Sequence, residues 1–323
     1  MSQWNLIIDV QRCENCNNCV LANKDEYVGN DFPGYSAPQP LHGPGTMRID
    51  RRVRGEGHMV DAAYLPTMCN HCDDAPCMKA AGADVIRKRP DGIVIIDPIK
   101  AKGRKDLVQS CPYGAIVWND EQQLPQAWIF DAHLLDQGWK EPRCAQSCPT
   151  DAIKAVKTDA AGIARLVDEQ KLEVLKPELG TRPRVYYRNL HRYAKHFVGG
   201  SVVASINGTR ECVEGARATL LMGGRVLQET VTDTFGDFKF DALDAVSGRY
   251  AVRIAHETLG TASVEAAAGQ TCVLGEIELP DFTGKFPSGP HGSGQRPHGH
   301  AQRDQPDKEG VPVVVATGAG SAA

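Results

Sequence analysis

Cys13-x2-Cys16-x2-Cys19 and Cys69-x2-Cys72-x4-Cys77 are two cysteine triplets, and Cys111-Pro112 and Cys148-Pro149 are single thiols each followed by proline. A triplet with such short gaps wraps backbone around one small body and turns three sulfurs toward it. A remote Cys-Pro supplies a fourth sulfur, the proline ending the loop with no amide to compete for the ligand position. The chemistry this spacing serves is ligation of [4Fe–4S] clusters, each held by four thiolates.

The ligand count closes. Cys69, Cys72 and Cys77 with Cys111 form an inner set, and Cys13, Cys16 and Cys19 with Cys148 form an outer set nested around it, so eight of the nine cysteines up to Cys148 are used. In a module carrying two clusters, further ligands would occupy Ala81, Ala101, Arg104 and Leu107 beside the inner set. Beside the outer set they would occupy Asn23, Trp128, Asp131 and Cys144. Only Cys144 is a thiol, so two clusters are expected, with Cys144, Cys212 and Cys272 as plain buried thiols. Structural zinc is the alternative, since four cysteines also satisfy tetrahedral Zn²⁺, but zinc sites favour C-x2-C pairs over a triplet with a remote Cys-Pro. Disulfides are a lesser alternative.

The elements that must position these thiols are legible in outline. Residues 1–159 carry short apolar runs, Leu6-Ile7-Ile8 and Ile93-Val94-Ile95-Ile96, close to the cysteines, which predicts short strands around ligand loops. Cys111-Pro-x-x-Ala-Ile116 and Cys148-Pro-x-x-Ala-Ile153 repeat one another, implying two similar modules. Residues 160–198 read as an amphipathic helix over Ile163–Val167, a short strand at Leu172–Leu175, and an extended connector, Pro177 to Arg188, packed along a surface. From 199 to 282 apolar and polar residues alternate in Ser201–Ile206, Ala218–Met222, Phe238–Phe240, Tyr250–Ile254 and Cys272–Leu274, with turn residues between, predicting an all-β sandwich or barrel. Residues 283–323, rich in Gly, Pro, His, Gln and Ala, read as a disordered tail whose His291, His298 and His300 are solvated. The fold class is thus α+β: two ferredoxin-like modules followed by an all-β domain.

Composition narrows the function. With 36 basic and 40 acidic side chains the net charge is −4, which leaves no electrostatic footprint for nucleic acid. No apolar stretch approaches the roughly 18 residues needed to span a bilayer. Met1–Val10 holds neither a basic segment ahead of a long apolar one nor a twin arginine, which predicts a cytoplasmic chain. No phosphate-binding loop or nucleophile elbow occurs, so no catalysis by this chain alone is expected. Arg182, Arg184, Arg188 and Arg192 read either as a solvated charged face or as a dock for an acidic partner.

Further residues carry a family resemblance. The order Cys13 to Cys148, the segment Asp97-Pro98 through Lys100-Ala101-Lys102-Gly103 to Cys111-Pro112-Tyr113-Gly114, and Ala132-His133-Leu134-Leu135-Asp136 before Pro142-Arg143-Cys144 resemble the iron–sulfur subunits of the dimethyl sulfoxide reductase superfamily. Pro177 to Tyr187 and Phe235 to Leu243 are similar, within it, to the small subunits of the pyrogallol–phloroglucinol transhydroxylase and resorcinol hydroxylase type, over about residues 3–280. The resemblance implies a heterodimer. Its large molybdopterin-containing partner would carry a bis-molybdopterin guanine dinucleotide with molybdenum or tungsten and act on a polyphenol. It also implies a transthyretin-like or carboxypeptidase-regulatory-like sandwich at the C-terminal side. The transhydroxylase small subunit carries a third cluster at the positions of Asn23, Trp128, Asp131 and Cys144, three of which are not cysteine here. On these grounds the chain is read as an electron-transfer subunit; a docking subunit whose clusters only stabilise the fold is the competing reading.

Overall fold

A computed structural model describes residues 1–284 of the chain. The expected disordered tail, with His291, His298 and His300, lies from residue 285 onward outside the described residues.

The cysteine-bearing half is organised by β1 (Gln3–Asp9), whose Leu6, Ile8 and neighbours are buried on both faces. Strands β2 (Met47–Arg54) and β3 (Asp61–Met68) form a hairpin, and β4 (Ile86–Lys88) with β5 (Val94–Ile96), and β6 (Val117–Asn119) with β7 (Leu124–Gln126), form two short ones. β8 (Ile153–Thr158) pairs antiparallel with β1 in the register Ile8↔Ile153, and β9 (Val185–Arg188) pairs parallel on its other edge, Ile8↔Tyr187. Covered on both edges and both faces, β1 reads as a continuous apolar run rather than an alternation. The first triplet leaves the end of β1 and Cys148 precedes β8, so the antiparallel pairing brings both to the same end of the sheet.

The expected helix runs from Ala160 to Gln170, and the Asp159 carboxylate caps it by accepting the Gly162 N–H at 2.8 Å. The strand expected at Leu172–Leu175 is reduced to a single bridge, Glu173↔Tyr187. The connector also differs from expectation. It turns once as a 3-10 helix at Pro177–Leu179 and ends as β9, with Val185 and Tyr187 fully buried. It is an edge strand of the β1 sheet whose Val185 and Tyr187 side chains are buried, and its prolines sit before the strand and leave its pairing N–H groups free.

The remaining strands are β10 (His196–Ile206), β11 (Thr209–Cys212), β12 (Arg217–Met222), β13 (Arg225–Val231), β14 (Asp237–Leu243), β15 (Arg249–His256), β16 (Gly260–Ala267) and β17 (Cys272–Phe282). β10 pairs with β11 and β14 on one edge and β17 on the other; β13-β12-β15-β16 form a second sheet. Alternate residues of both sheets, among them Val202, Ala204, Leu220, Phe240, Val252 and Ile254, close one apolar core.

A buried ion cluster joins the two halves. The Arg54 guanidinium, its side chain 2% exposed, donates to Asp61 at 2.7 Å within its own hairpin and to Asp241 of β14 at 2.8 Å. Arg192 and Lys239 complete the cluster on the same carboxylates, and Phe197 lies under Arg54 at 5.2 Å. The turn after Arg54 needs glycine: Gly55 has φ +81°, and a Cβ there would meet the Met59 carbonyl at 2.2 Å.

Candidate metal centre

Cys69, Cys72, Cys77 and Cys111 line one cavity, walled on its apolar side by Val94, Ile96 and Ile116. The loop that carries Cys69 and Cys72 is bent by His71, which sits at φ +46°. Its Nδ1 accepts the Val94 N–H at 3.0 Å, which locks the ring, and burial pushes its pKa down to about 3 so the ring stays neutral. Burial raises the thiols: Cys69 goes well above the ordinary value and Cys77 to about 11, with the neighbouring sulfurs adding to both. Several buried thiolates are mutually destabilising unless a cationic core lies between them, and an iron–sulfur core is such a charge.

Cys13, Cys16, Cys19 and Cys148 gather likewise. Burial pushes Cys19 up to about 12, with Cys13, Cys148 and Cys16 each near enough to raise it further. Cys13 is raised by burial and by Cys148 and Cys16, while an N–H from Asn15 opposes. Asn15 and Asn17 take φ +59° and +62°, conformations that Asn tolerates better than most residues and that fold the triplet back on itself. The two Cys-Pro repeats share one turn: Gly114 N–H donates to the Cys111 carbonyl at 3.0 Å and Asp151 N–H to the Cys148 carbonyl at 3.2 Å. Both Gly114 and Asp151 have positive φ. The inner four thus line one cavity, and the outer four lie close enough together to raise one another.

The donor set fits a cluster. All eleven cysteines are free thiols. Among the described residues no three His, Cys, Asp or Glu side chains converge tightly enough to hold a single ion. The inner sulfurs line one cavity, and a cysteine triplet with a remote Cys-Pro is the donor arrangement of an iron–sulfur cluster.

The positions where further clusters would sit are filled. Ala101 and Leu107, both fully buried, pack with Ile86, Ile96 and Ala127 beside the inner quartet, with Ala81 against them. Beside the outer quartet Asn23, Trp128, Asp131 and Cys144 are each at most 3% exposed. They have found other partners: Asn23 accepts from Thr46 at 2.9 Å, and Asp131 accepts from Tyr27 at 2.6 Å and from the Arg143 N–H at 2.7 Å. Trp128 stacks on Phe130 at 4.8 Å. Cys144 is buried beside Asp131 and Cys19, as expected of a plain thiol; Cys212, expected to be buried, is exposed at the end of edge strand β11, and Cys272 is half-buried.

The connector holds residues of the site that spacing alone did not reveal. Asp73 and Asp74 N–H groups donate to the Arg182 and Thr181 carbonyls, and Arg184 N–H to the Asn70 carbonyl, so residues 181–184 lie against the inner cysteine loop. Arg184, expected at the surface, is 8% exposed and paired with Asp73 at 2.7 Å. Lys88 donates to the His71 and Cys72 carbonyls at 2.7 and 2.9 Å. Tyr113 and Thr181 share a hydroxyl–hydroxyl hydrogen bond. The similarity of the Pro177–Tyr187 segment to other small subunits was the signal available for it.

The 4Fe-4S dicluster domain family matches residues 60–158, which spans the inner quartet and Cys148. Fold and site thus define an iron–sulfur electron-transfer subunit. The pyrogallol hydroxytransferase small subunit of Pelobacter acidigallici is 43% identical over 86% of this chain and 100% of its own length. The chain belongs to the family of that small subunit. A putative dimethyl sulfoxide reductase iron-sulfur subunit of Halobacterium salinarum is 32% identical over 58% of the chain and 80% of its own length. A tetrathionate reductase subunit of Salmonella typhimurium is 32% identical over 58% of the chain and 73% of its own. Among the described residues no helix is long and apolar enough to cross a membrane.

Proposed function

We propose that the chain is the electron-carrying half of a cytoplasmic heterodimer whose large subunit holds a molybdopterin guanine dinucleotide with molybdenum or tungsten and hydroxylates, or transfers a hydroxyl between, polyphenols. Cys13, Cys16, Cys19 and Cys148 would hold one [4Fe–4S] cluster and Cys69, Cys72, Cys77 and Cys111 the other. When bound, such clusters take up and release single electrons. The chain's own residues would hold the two quartets, with Val94, Ile96 and Ile116 walling the inner one on its apolar side, and would fill the remaining cluster positions with side chains. In this reading the cluster half is residues 1–159, residues 160–198 tie it together, and residues 199–282 form a transthyretin-like sandwich.

The observation that supports it most is the gathering of eight free thiols into two quartets, taken with full-length similarity to a hydroxytransferase small subunit. The test is anaerobic co-purification with the large subunit, iron analysis, and redox titration followed by electron paramagnetic resonance. About eight irons per chain, in clusters reduced and reoxidised during turnover, are expected. Clusters that stay in one redox state throughout turnover would leave the chain a docking subunit.

A further inference from the structure

We propose that Lys100, Lys102 and Lys105, the exposed lysines of the segment capping the inner quartet, form a docking surface for a small acidic protein that carries one electron at a time. The inference rests on the electron-transfer reading above and deepens it by naming the kind of acceptor. Hydroxylating an aromatic ring with water releases two electrons and two protons. Iron–sulfur centres pass electrons on singly, so that reaction needs a one-electron carrier outside the heterodimer.

The cap is built onto two arms of the quartet. After β5 the chain turns at Asp97, whose carbonyl accepts the Ala101 N–H at 3.0 Å, and a 3-10 helix, Lys105–Ser110, then runs directly into Cys111. Arg104 reaches the Ala80 carbonyl at 3.5 Å on the helix Pro76–Ala81, which carries Cys77. Ala101 and Leu107, both fully buried, share one apolar cluster with Cys77 and Cys111 packed against it. Lys100 and Lys102 flank Ala101, so two exposed cations stand directly outside a residue that packs beside the inner thiols.

The chain as a whole is acidic, with a net charge of −4, yet residues 99–106 hold four cations against one carboxylate, Asp106. The carboxylates about the cap are already engaged: Asp106 by Arg104 at 2.8 Å, Asp97 by Arg87 at 3.6 Å and Asp74 by Lys79 at 2.7 Å. Among the described residues Lys100, Lys102 and Lys105 form no ion pair, and Lys105 lies over the Trp118 ring at 5.4 Å. Ile99, 84% exposed, puts an apolar side chain at the head of this cationic stretch. The neighbouring turn, joined to the cap by the Gly103 N–H donating to the Gln123 carbonyl at 2.8 Å, carries Asp120 and Glu121 and bounds the stretch on that side.

Charge decides the occupant. Free cations attract an acidic surface and raise its encounter rate, an effect that salt removes. A permanent subunit interface is large, apolar at its centre and depleted in lysine, whereas a weak electron-transfer encounter is small. One exposed isoleucine among solvated lysines fits the second kind. One electron passes to the oxidised carrier from the centre held by Cys69, Cys72, Cys77 and Cys111; no bond forms or breaks and no proton moves. That electron comes from the aromatic substrate through the partner's metal centre in turnover, and from dithionite in the test.

The experiment reduces the heterodimer with dithionite, removes the excess, and follows its reoxidation in stopped flow by an acidic plastocyanin, a basic cytochrome c and a small uncharged quinone. At about 10 mM ionic strength, Lys100→Glu/Lys102→Glu should slow the plastocyanin reaction about tenfold, and the gap should close near about 1 M salt. The cytochrome c and quinone reactions should not slow. Arg225→Glu/Arg253→Glu, the same charge change at exposed residues of the β domain, should stay within about twofold of wild type throughout. Iron content and retention of the large subunit should hold in both variants. A plastocyanin rate in the lysine variant within about twofold of wild type at full iron overturns the docking surface alone, as does equal slowing with cytochrome c. Loss of the large subunit from that variant also overturns it, by assigning the patch to the subunit interface. Wild-type heterodimer whose reduced centres fail to react even with the quinone overturns the surface together with the electron-transfer reading. Should the charge reversal lose iron, Lys100→Gln/Lys102→Gln decides, with a slowing of about threefold supporting the surface and no slowing refuting it.

Discussion

Cys144 separates ligation from burial, and its replacement is the sharpest test of the two-quartet assignment. It is 1% exposed, shares a core with Cys19 and Cys148, and lies closer to the outer quartet than any other spare thiol, so burial and proximity alone would count it a ligand. Asp131 argues otherwise. A carboxylate already accepting from Tyr27 at 2.6 Å and Arg143 N–H at 2.7 Å has both oxygens engaged by the protein, which is the ground for expecting no iron on Cys144. Cys144→Ala removes one sulfur atom from a packed core, so it should cost about 1–2 kcal/mol from lost contacts and a small cavity. That corresponds to a fall of roughly 2–4 °C in melting temperature per kcal/mol for a chain of this size. Iron should stay at about eight per chain, and both paramagnetic signals should keep their shape and potential. The assay is iron quantitation alongside anaerobic thermal unfolding. A loss of about four irons from Cys144→Ala would break the two-quartet assignment, because it would make Cys144 a ligand and displace one of the eight.

The other expectations are simpler to read. Cys16→Ser and Cys72→Ser should each lower iron from about eight to about four and abolish or alter a different signal, while exposed Cys212→Ser should change neither. Arg54→Ala removes the most buried cation of the ion cluster but leaves Asp61 on Arg192 and Asp241 on Lys239, so it should destabilise the protein by about 1.5–3 kcal/mol in urea unfolding; a cost below about 0.5 kcal/mol would place that cluster among ordinary surface pairs. Burial of Asp61 opposes its ionisation, but hydrogen bonds from Arg192 and Arg54 outweigh it and hold its pKa down at about 2 against 3.8 ordinarily. A depressed folded value means that its stabilisation is complete above pH 3.8 and is lost as pH falls toward 2. The stability gap between wild type and Asp61→Asn should therefore close across that window in denaturation followed by circular dichroism.

The grouping of the candidate ligands was legible because cluster geometry is written locally: the gaps in Cys13–Cys19 and Cys69–Cys77 suit the size of a cluster they would surround. The strands of residues 199–282 were legible for a similar reason, since a half-buried strand shows its period, as β15 does with Tyr250, Val252 and Ile254 inward. What was hidden depends on distant pairing. Val185 and Tyr187 look like a proline-bounded connector until β1 supplies a parallel edge, and nothing near them in sequence announces it. Arg184 reads as a surface charge because its partner, Asp73, lies in a different loop. Thr181 and Lys88 escaped because a hydroxyl bonded to Tyr113 and an ammonium on two loop carbonyls carry no spacing rule of their own. The filled cluster positions lay between these cases: missing cysteines were visible, but not the hydrogen bonds from Tyr27 and Thr46 that make the substitution tolerable.

Nesting one quartet inside the other also fixes a timetable for maturation. As the chain leaves the ribosome, the four inner thiols are all available once Cys111 has emerged, whereas the outer triplet waits for Cys148 and for β8 to dock on β1. Thr181 arrives later still, after every cysteine of both quartets has been translated. Early in synthesis the amino-terminal socket is therefore half-finished while the inner one already has its four thiols, and the connector closes against the inner loop last.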